Sequence, residues 1–221
     1  QILRAEQFPI KIEILEKKPS CVVIKFNQDV QQLCTTIGHV PIPPYLNRAD
    51  EDTDKERYQT VFANSKFIES VAAPTASLHF DEELFASITN KFNTSKISLA
   101  VGLGTFKPLS DDPITQHSKL HEEDFYISED AAKKINKQLK ANKRIIAIGT
   151  TTLRALEGAW CNKSKCVKSG RNSTDLFIKE GYRFNVVNTL VTNFHLPQSS
   201  LLMLVSAFSG KEFILSAYKY A

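Results

Sequence analysis

RIIAIGTTTLRALEGAW (144–160) joins an apolar run to a helical one through a single glycine. RIIAIG has the length and the branched side chains of a buried strand. TTTLRALEGAW places Leu153, Leu156 and Trp160 on one face at helical spacing. A buried strand that runs directly into a helix is the repeating unit of α/β folds, and the neighbouring sequence continues it. DEELFASITNKF (81–92) reads as a helix capped by Asp81, with Leu84, Ile88 and Phe92 inward, and ERYQTVFA (56–63) reads as another. ISLAV (97–101) is a short strand ending in GLGTF. SEDAAKKINKQLKANK (128–143) is amphipathic, with Ile135 and Leu139 inward and lysines outward. DLFI (175–178) and FNVVNTLV (184–191) read as further strands, and SSLLMLVSAF and KEFILSAYKYA as two final helices. The expected fold is α/β, a mixed sheet flanked by helices.

Toward the N-terminus the pattern changes. KIEIL (11–15) and CVVIKF (21–26) are β-rich runs split by a Lys-Lys-Pro-Ser turn, and GHVPIPPYL (38–46) stops any regular element with its prolines. Residues 1–45 are expected to be strand and loop only, part of a small β domain, and 46–221 an α/β core. A net charge of +4 permits a nucleic-acid partner without requiring one. The four cysteines show no Cys-x-x-Cys spacing and indicate a reduced, cytoplasmic setting. No run approaches the length of a membrane span, so no membrane partner is expected. The start, QILRAEQFPIKI, has no signal-peptide core and no initiator methionine, and is not expected to be a natural beginning.

Three strand-to-loop junctions carry chemistry. At Gly149, Thr150 and Thr151, free backbone N–H groups at a helix start suit a carboxylate or phosphate, with Arg154 one turn in. At AVGLGTF, Gly102 and Gly104 allow close backbone approach to a ligand, with Thr105 beside them; the pattern is not a dinucleotide fingerprint. At VTNFHLPQSS, Asn193 and His195 sit between a strand and a capped helix. All five histidines (His39, His79, His117, His121 and His195) fall in loop-like segments, where an imidazole can act as acid or base. His117 and His121 with Glu122 and Glu123 are too loosely spaced for a metal, and none is expected. No catalytic triad or serine elbow is legible.

Taken in order, GHVPIPPYL, ERYQTVFA, SVAAPTASLHF, VGLGTFKP, LHEE, IAIGTTTLRALE and LVTNFHLPQSSLLMLVSAFSG resemble the S-adenosylmethionine:tRNA ribosyltransferase-isomerase family of queuosine biosynthesis. The resemblance runs from about residue 38 to the end. It implies a cytoplasmic bacterial enzyme that transfers and isomerises the ribosyl part of S-adenosylmethionine onto 7-aminomethyl-7-deazaguanine at the tRNA wobble position. Epoxyqueuosine would form, with adenine and methionine released. It also implies a β-barrel-like small domain inserted into an α/β domain, and a monomer. Ser70, Pro74 and Thr75 would then line the active site, where Ala72, Ala73 and Ala76 leave room for a ligand. His79, His121 and His195 would handle protons, with Glu123 as an alternative base or orienting carboxylate. Gly149, Thr150, Thr151 and Arg154 would hold the methionine carboxylate. Arg48, Lys55 and Arg57 would meet tRNA phosphates. The chain departs from the family at Ser77 (glycine there), Ala100 (histidine there), Ser118, Asn172, Ser173 and Glu180, and the family's chain extends beyond it on both sides. The alternative expectation is a fragment or decayed copy, non-catalytic but still binding tRNA or S-adenosylmethionine.

Overall fold

The computed structural model describes residues 2–4, 10–18, 21–64, 70–102 and 120–221. By its contacts the chain forms two compact units, Gln1–Pro41 and Ile42–Ala221.

In the first unit, β1 (Ile2–Arg4), β2 (Lys11–Lys17) and β3 (Val22–Phe26) form an antiparallel sheet in that order. The β2–β3 register slips between Ile14 and Glu16, a bulge that leaves Leu15 exposed. The expectation of strand and loop alone is corrected by a helix, α1 (Val30–Ile37). Asp29 caps it by accepting from the Gln32 N–H at 2.9 Å, and Leu33 is buried. Glutamines and β-branched threonines inside the helix masked it in the sequence.

In the second unit a 3₁₀ turn, Pro44–Leu46, precedes a short helix, α2 (Asp54–Arg57). The longer helix expected from ERYQTVFA stops after one turn, where Tyr58 takes φ −93° and ψ 41°. α3 (Glu82–Lys91) starts at Asp81, whose carboxylate accepts from the Leu84 N–H at 2.7 Å. Its inward face differs from the expected stripe. Leu84 and Phe92 are exposed, and Phe85 instead packs on Phe62, with the Lys96 ammonium over both rings.

β4 (Ser98–Ala100), β5 (Glu123–Ile127) and β9 (Gly170–Thr174) make an antiparallel sheet with β5 in the centre. α4 (Glu129–Lys140) follows β5, and its Ala131, Ala132 and Ile135 are buried as its periodicity requires. β6 (Ile146–Ile148) then leads through Gly149 into α5 (Thr150–Gly158). A hairpin of β7 (Trp160–Cys161) and β8 (Cys166–Val167) follows, so Trp160 belongs to a strand rather than to the helix face. β10 (Thr189–Val191) pairs with β6 in parallel. α6 (Ser200–Ser209) and α7 (Lys211–Tyr220) end the chain, bent 112° apart at Gly210. No single helix among the described residues is long and apolar enough to cross a membrane. The architecture is mixed α/β with several small sheets.

α5 is the hub of the core. Leu153, Ala155 and Leu156 are buried with Ile127, Ala147, Ile178 and Leu204. Where α5 crosses β9, a Cβ on Gly158 would lie 2.7 Å from Thr174 Oγ1, so only glycine permits that approach.

Two expected strands are absent or short, for one kind of reason. After β9, Thr174 Oγ1 accepts the Leu176 N–H and Arg154 Nε donates to the Leu176 carbonyl, so 175–178 leaves the ladder although Phe177 and Ile178 are buried. In FNVVNTLV, the N–H groups of Asn185, Val186 and Val187 all donate to the buried Glu157 carboxylate at 2.9 Å, and the Tyr182 hydroxyl adds a fourth donor at 3.3 Å. Only the last three residues remain to pair as β10.

Glu157→Gln would set an amide NH2 against two of these four donors in either orientation. Its cost should be about 3 kcal/mol, the order expected for a buried charged acceptor losing its partners. Urea unfolding monitored by circular dichroism checks this, and a loss below about 1 kcal/mol would show that the carboxylate does not organise 185–187.

Candidate active site

α5 begins where the chain makes its sharpest change of direction. Gly149 has φ +94°, a conformation L side chains rarely adopt, and its N–H donates to Val191 O at 2.8 Å. That bond holds the outgoing ends of β6 and β10 together. The helix has no side-chain cap at this end. Thr150 is buried and Thr151 and Thr152 are half-buried. First-turn N–H groups and the helix dipole therefore make this end electropositive without any ionised group.

SVAAPTASLHF (70–80) packs onto this helix start. A Cβ built on Gly149 would stand 3.8 Å from the Ala76 methyl and equally far from the Thr151 and Thr152 hydroxyl oxygens. Thr75 to Ser77 form a single 3₁₀ turn after Pro74, with Thr75 half-buried and Ala76 and Ser77 buried. The stretch is also tied to β4. Val71 N–H donates to Val101 O at 3.0 Å, and Ser70 Oγ accepts from Val101 N at 3.2 Å while donating to Ala72 O. Ser70 thus holds the loop in place. Gly102 lies exposed just beyond, with open space where a side chain would be. Gly104 and Thr105 fall outside the described residues, as do His117 and Ser118.

The sequence gives Arg154 and Glu123 separate roles, a carboxylate binder and an alternative base or orienting carboxylate. They form one buried ion pair. Arg154 Nη1 donates to Glu123 Oε2 at 2.6 Å, with both side chains 5% exposed, and Nε holds Leu176 O at 3.1 Å. Arg154 Nη2 is buried with no hydrogen-bond partner among the described residues. The pair ties β5 to α5, and in it the Glu123 carboxylate is engaged by the Arg154 guanidinium.

His195 follows β10, which leaves the same end of the parallel pair at which α5 begins. Its backbone N–H donates to the Tyr218 hydroxyl at 2.6 Å, and its Nε2 lies 3.4 Å from Thr192 Oγ1. Burial pushes its imidazole below the ordinary value of 6.5, so the ring is neutral near pH 7. Asn193 beside it is exposed. His79 is exposed and lies against Phe80 at 4.6 Å between ring centroids. His121 is exposed at the entry to β5, where Leu120 N–H donates to Asp175 O and Ser173 Oγ bonds Glu122. Sequence reasoning missed Tyr218 and Thr192. A tyrosine within an amphipathic helix gives no sign that it reaches a loop backbone 23 residues earlier.

The three basic residues assigned to phosphates lie together on the 48–57 stretch but differ in freedom. Arg48 forks onto Asp54 at 2.7 and 2.8 Å, which lowers that carboxyl to about 2. Lys55 pairs with Asp52 at 3.3 Å on the exposed surface, and Arg57 is exposed. Among the described residues no group of three or more His, Cys, Asp or Glu side chains could hold a metal ion.

Fold and site define an α/β protein with an anion-receptive helix start at the carboxyl ends of a parallel strand pair. The sequence profile of the family described as "Queuosine biosynthesis protein" matches residues 2–221, and the chain belongs to that family. It is 48% identical over 213 residues to the S-adenosylmethionine:tRNA ribosyltransferase-isomerase of Francisella philomiragia subsp. philomiragia, covering 95% of this chain and 61% of the relative. The protein of the same name from Treponema denticola is 46% identical over 209 residues, covering 94% and 59%. A crystal structure of S-adenosylmethionine tRNA ribosyltransferase from Thermotoga maritima matches with TM-score 0.50 at 26% identity, over 96% of this chain and 56% of that one. The chain therefore spans about three fifths of the length of these curated relatives.

Arg154→Met should lose about 3–5 kcal/mol, because it strands the Glu123 carboxylate in the core. Arg154→Met with Glu123→Gln should recover most of that loss, as compared by urea midpoints. A second expectation concerns pH. The unfolded chain binds more protons than the folded one just below 6.5, so the His195 contribution is complete above that value and fades as pH falls through the lowered native value. Between about pH 7 and pH 5, the wild-type melting temperature should fall further than that of His195→Asn.

Proposed function

We propose that this chain is the core of a cytoplasmic enzyme that moves the ribosyl part of S-adenosylmethionine onto 7-aminomethyl-7-deazaguanine in tRNA. The ribosyl group is isomerised as it transfers, which gives epoxyqueuosine and releases adenine and methionine. One observation carries the reading: the family profile runs from residue 2 to residue 221, through the 70–80 loop and the start of α5. The packing of Ala76 against Gly149 supports it, since two segments far apart in sequence wall the same helix terminus.

In this reading the Gly149–Thr151 helix start holds the methionine carboxylate by backbone N–H groups. Arg154 and Glu123 act as positioning residues that fix β5 against α5. Removing a proton beside a sulfonium needs only a base of near-neutral strength, and the neutral, half-buried His195 has that character. His79 and His121, both exposed, protonate the departing adenine. Thr75 and Asn193 supply neutral hydrogen bonds, Pro74 stiffens the wall, and Gly102 with Gly104 and Thr105 lets the backbone approach the substrate. Ser70 secures the loop. Lys55 and Arg57 meet tRNA phosphates; Arg48 organises their loop through Asp54. The N-terminal sheet belongs to a β-barrel-like domain inserted into the α/β domain, and the protein acts as a monomer.

The test is adenine release from S-adenosylmethionine, with tRNA carrying 7-aminomethyl-7-deazaguanine and with the same tRNA carrying guanine. Release confined to the modified tRNA is expected. His195→Asn should slow it by about a hundredfold or more, the scale of a lost general base. Release indifferent to the tRNA, or none from the folded chain, would defeat the reading.

A further inference from the structure

A second concavity lies at the other end of the β6–β10 pair. It is a groove of about 550 Å³ formed by the end of α4, the β7–β8 hairpin and the segment that enters β10. The candidate active site sits where β6 and β10 end; this groove sits where they begin, since Asn188 and Thr189 donate to Ile145 O immediately before β6. Each strand is three residues long, so about 10 Å of backbone separates the two ends.

The lining of the groove is specific in character. Lys140, Lys143 and Lys165 are exposed on its lips, and none makes an ion pair among the described residues. On α4 the acidic partners are spent at the first turn, where Glu129 and Asp130 take Lys133 and Lys134, which leaves the last turn purely basic. The lining contains no acidic side chain. Glu157, behind the wall, is already satisfied by the three backbone N–H groups of 185–187. The floor carries Trp160 and Phe184, both partly buried against the core and therefore fixed. The Trp160 indole is oriented further by its bond to Asn162 at 3.0 Å. Asn142, held in a left-handed turn at φ 51°, presents an amide with both a donor and an acceptor.

Unpaired ammonium groups along an open groove with an immobilised aromatic floor are what a nucleic-acid strand requires: cations for phosphates and a flat face for a base. We infer that this groove is a second RNA-contact surface, seating backbone phosphates on Lys140, Lys143 and Lys165 and a base against Trp160. The inference rests on the tRNA reading above and adds to it a contact on the far side of the parallel pair. An RNA substrate would then be gripped at two separate places, and affinity would come from a region that takes no part in the chemistry.

Trp160 is the only tryptophan in the chain, so the groove reports on itself. The experiment titrates the whole chain with a short RNA stem-loop at several salt concentrations and follows tryptophan emission. Wild type should be quenched as the RNA binds. The variant Lys140→Ser/Lys143→Ser/Lys165→Ser should keep its melting temperature, because all three side chains are exposed. Its binding should weaken at least tenfold at low salt, and the slope of log affinity against log salt should flatten by about 2. Equal binding by the variant, with an unchanged slope, would overturn the inference. If modified-tRNA-dependent adenine release then persists at wild-type KM, the enzymatic reading survives and only the groove is refuted. Quenching by polyglutamate as strong as that by RNA would also overturn the inference, in favour of an acidic protein partner.

Discussion

One carboxylate fixes the layout of the core. Glu157 projects from α5 into the segment before β10 and collects the N–H groups of Asn185, Val186 and Val187 together with the Tyr182 hydroxyl. Three consecutive amides cannot turn toward one acceptor and also run as a flat strand. The chain therefore curves around Glu157 and straightens only at Thr189, in register with Ile146. The position of β10, and with it the loop that carries His195, follows from that curve.

The same helix sets the other half of the site. Arg154, one turn back, reaches β5 through Glu123 and the post-β9 loop through Leu176. α5 thus uses charged side chains where most core helices use only apolar ones. Buried ions are costly, and they persist where they specify one arrangement over others. Here they orient a helix whose open N-terminus is the electropositive feature of the candidate site, and the close approach of Gly158 to Thr174 allows no side chain between helix and sheet.

What the sequence discloses and what it hides divide along a physical line. Elements whose formation depends on their own pattern were legible: β6 into α5, α4 with its apolar stripe, α3 from its Asp81 cap, and α6. Elements decided by a distant side chain were not. Val186, Val187 and Phe177 have strand-like character, yet Glu157, Arg154 and Thr174 claim the backbone around them. The polar GRNST (170–174) looks unlike a strand and becomes one because β5 lies beside it. The site shows the same split. Ordered motifs pointed to the family, and Gly149 to an anion-receptive turn. The pairing of Arg154 with Glu123 joins positions 31 residues apart and left no local sign.

These spans also bear on the order in which the chain organises. The partners of α5 lie 31 residues before it, at Glu123, and 28 to 30 after it, at Asn185 to Val187. Loops of that size differ little in closure entropy, so neither side has a large advantage in closing first. The stretch from β5 to β10 can therefore condense around α5 as one cooperative unit, without waiting for the N-terminal sheet. In native-state hydrogen exchange, the amides of Val186 and Val187 would open together with the helix, although they lie in a segment with no regular structure.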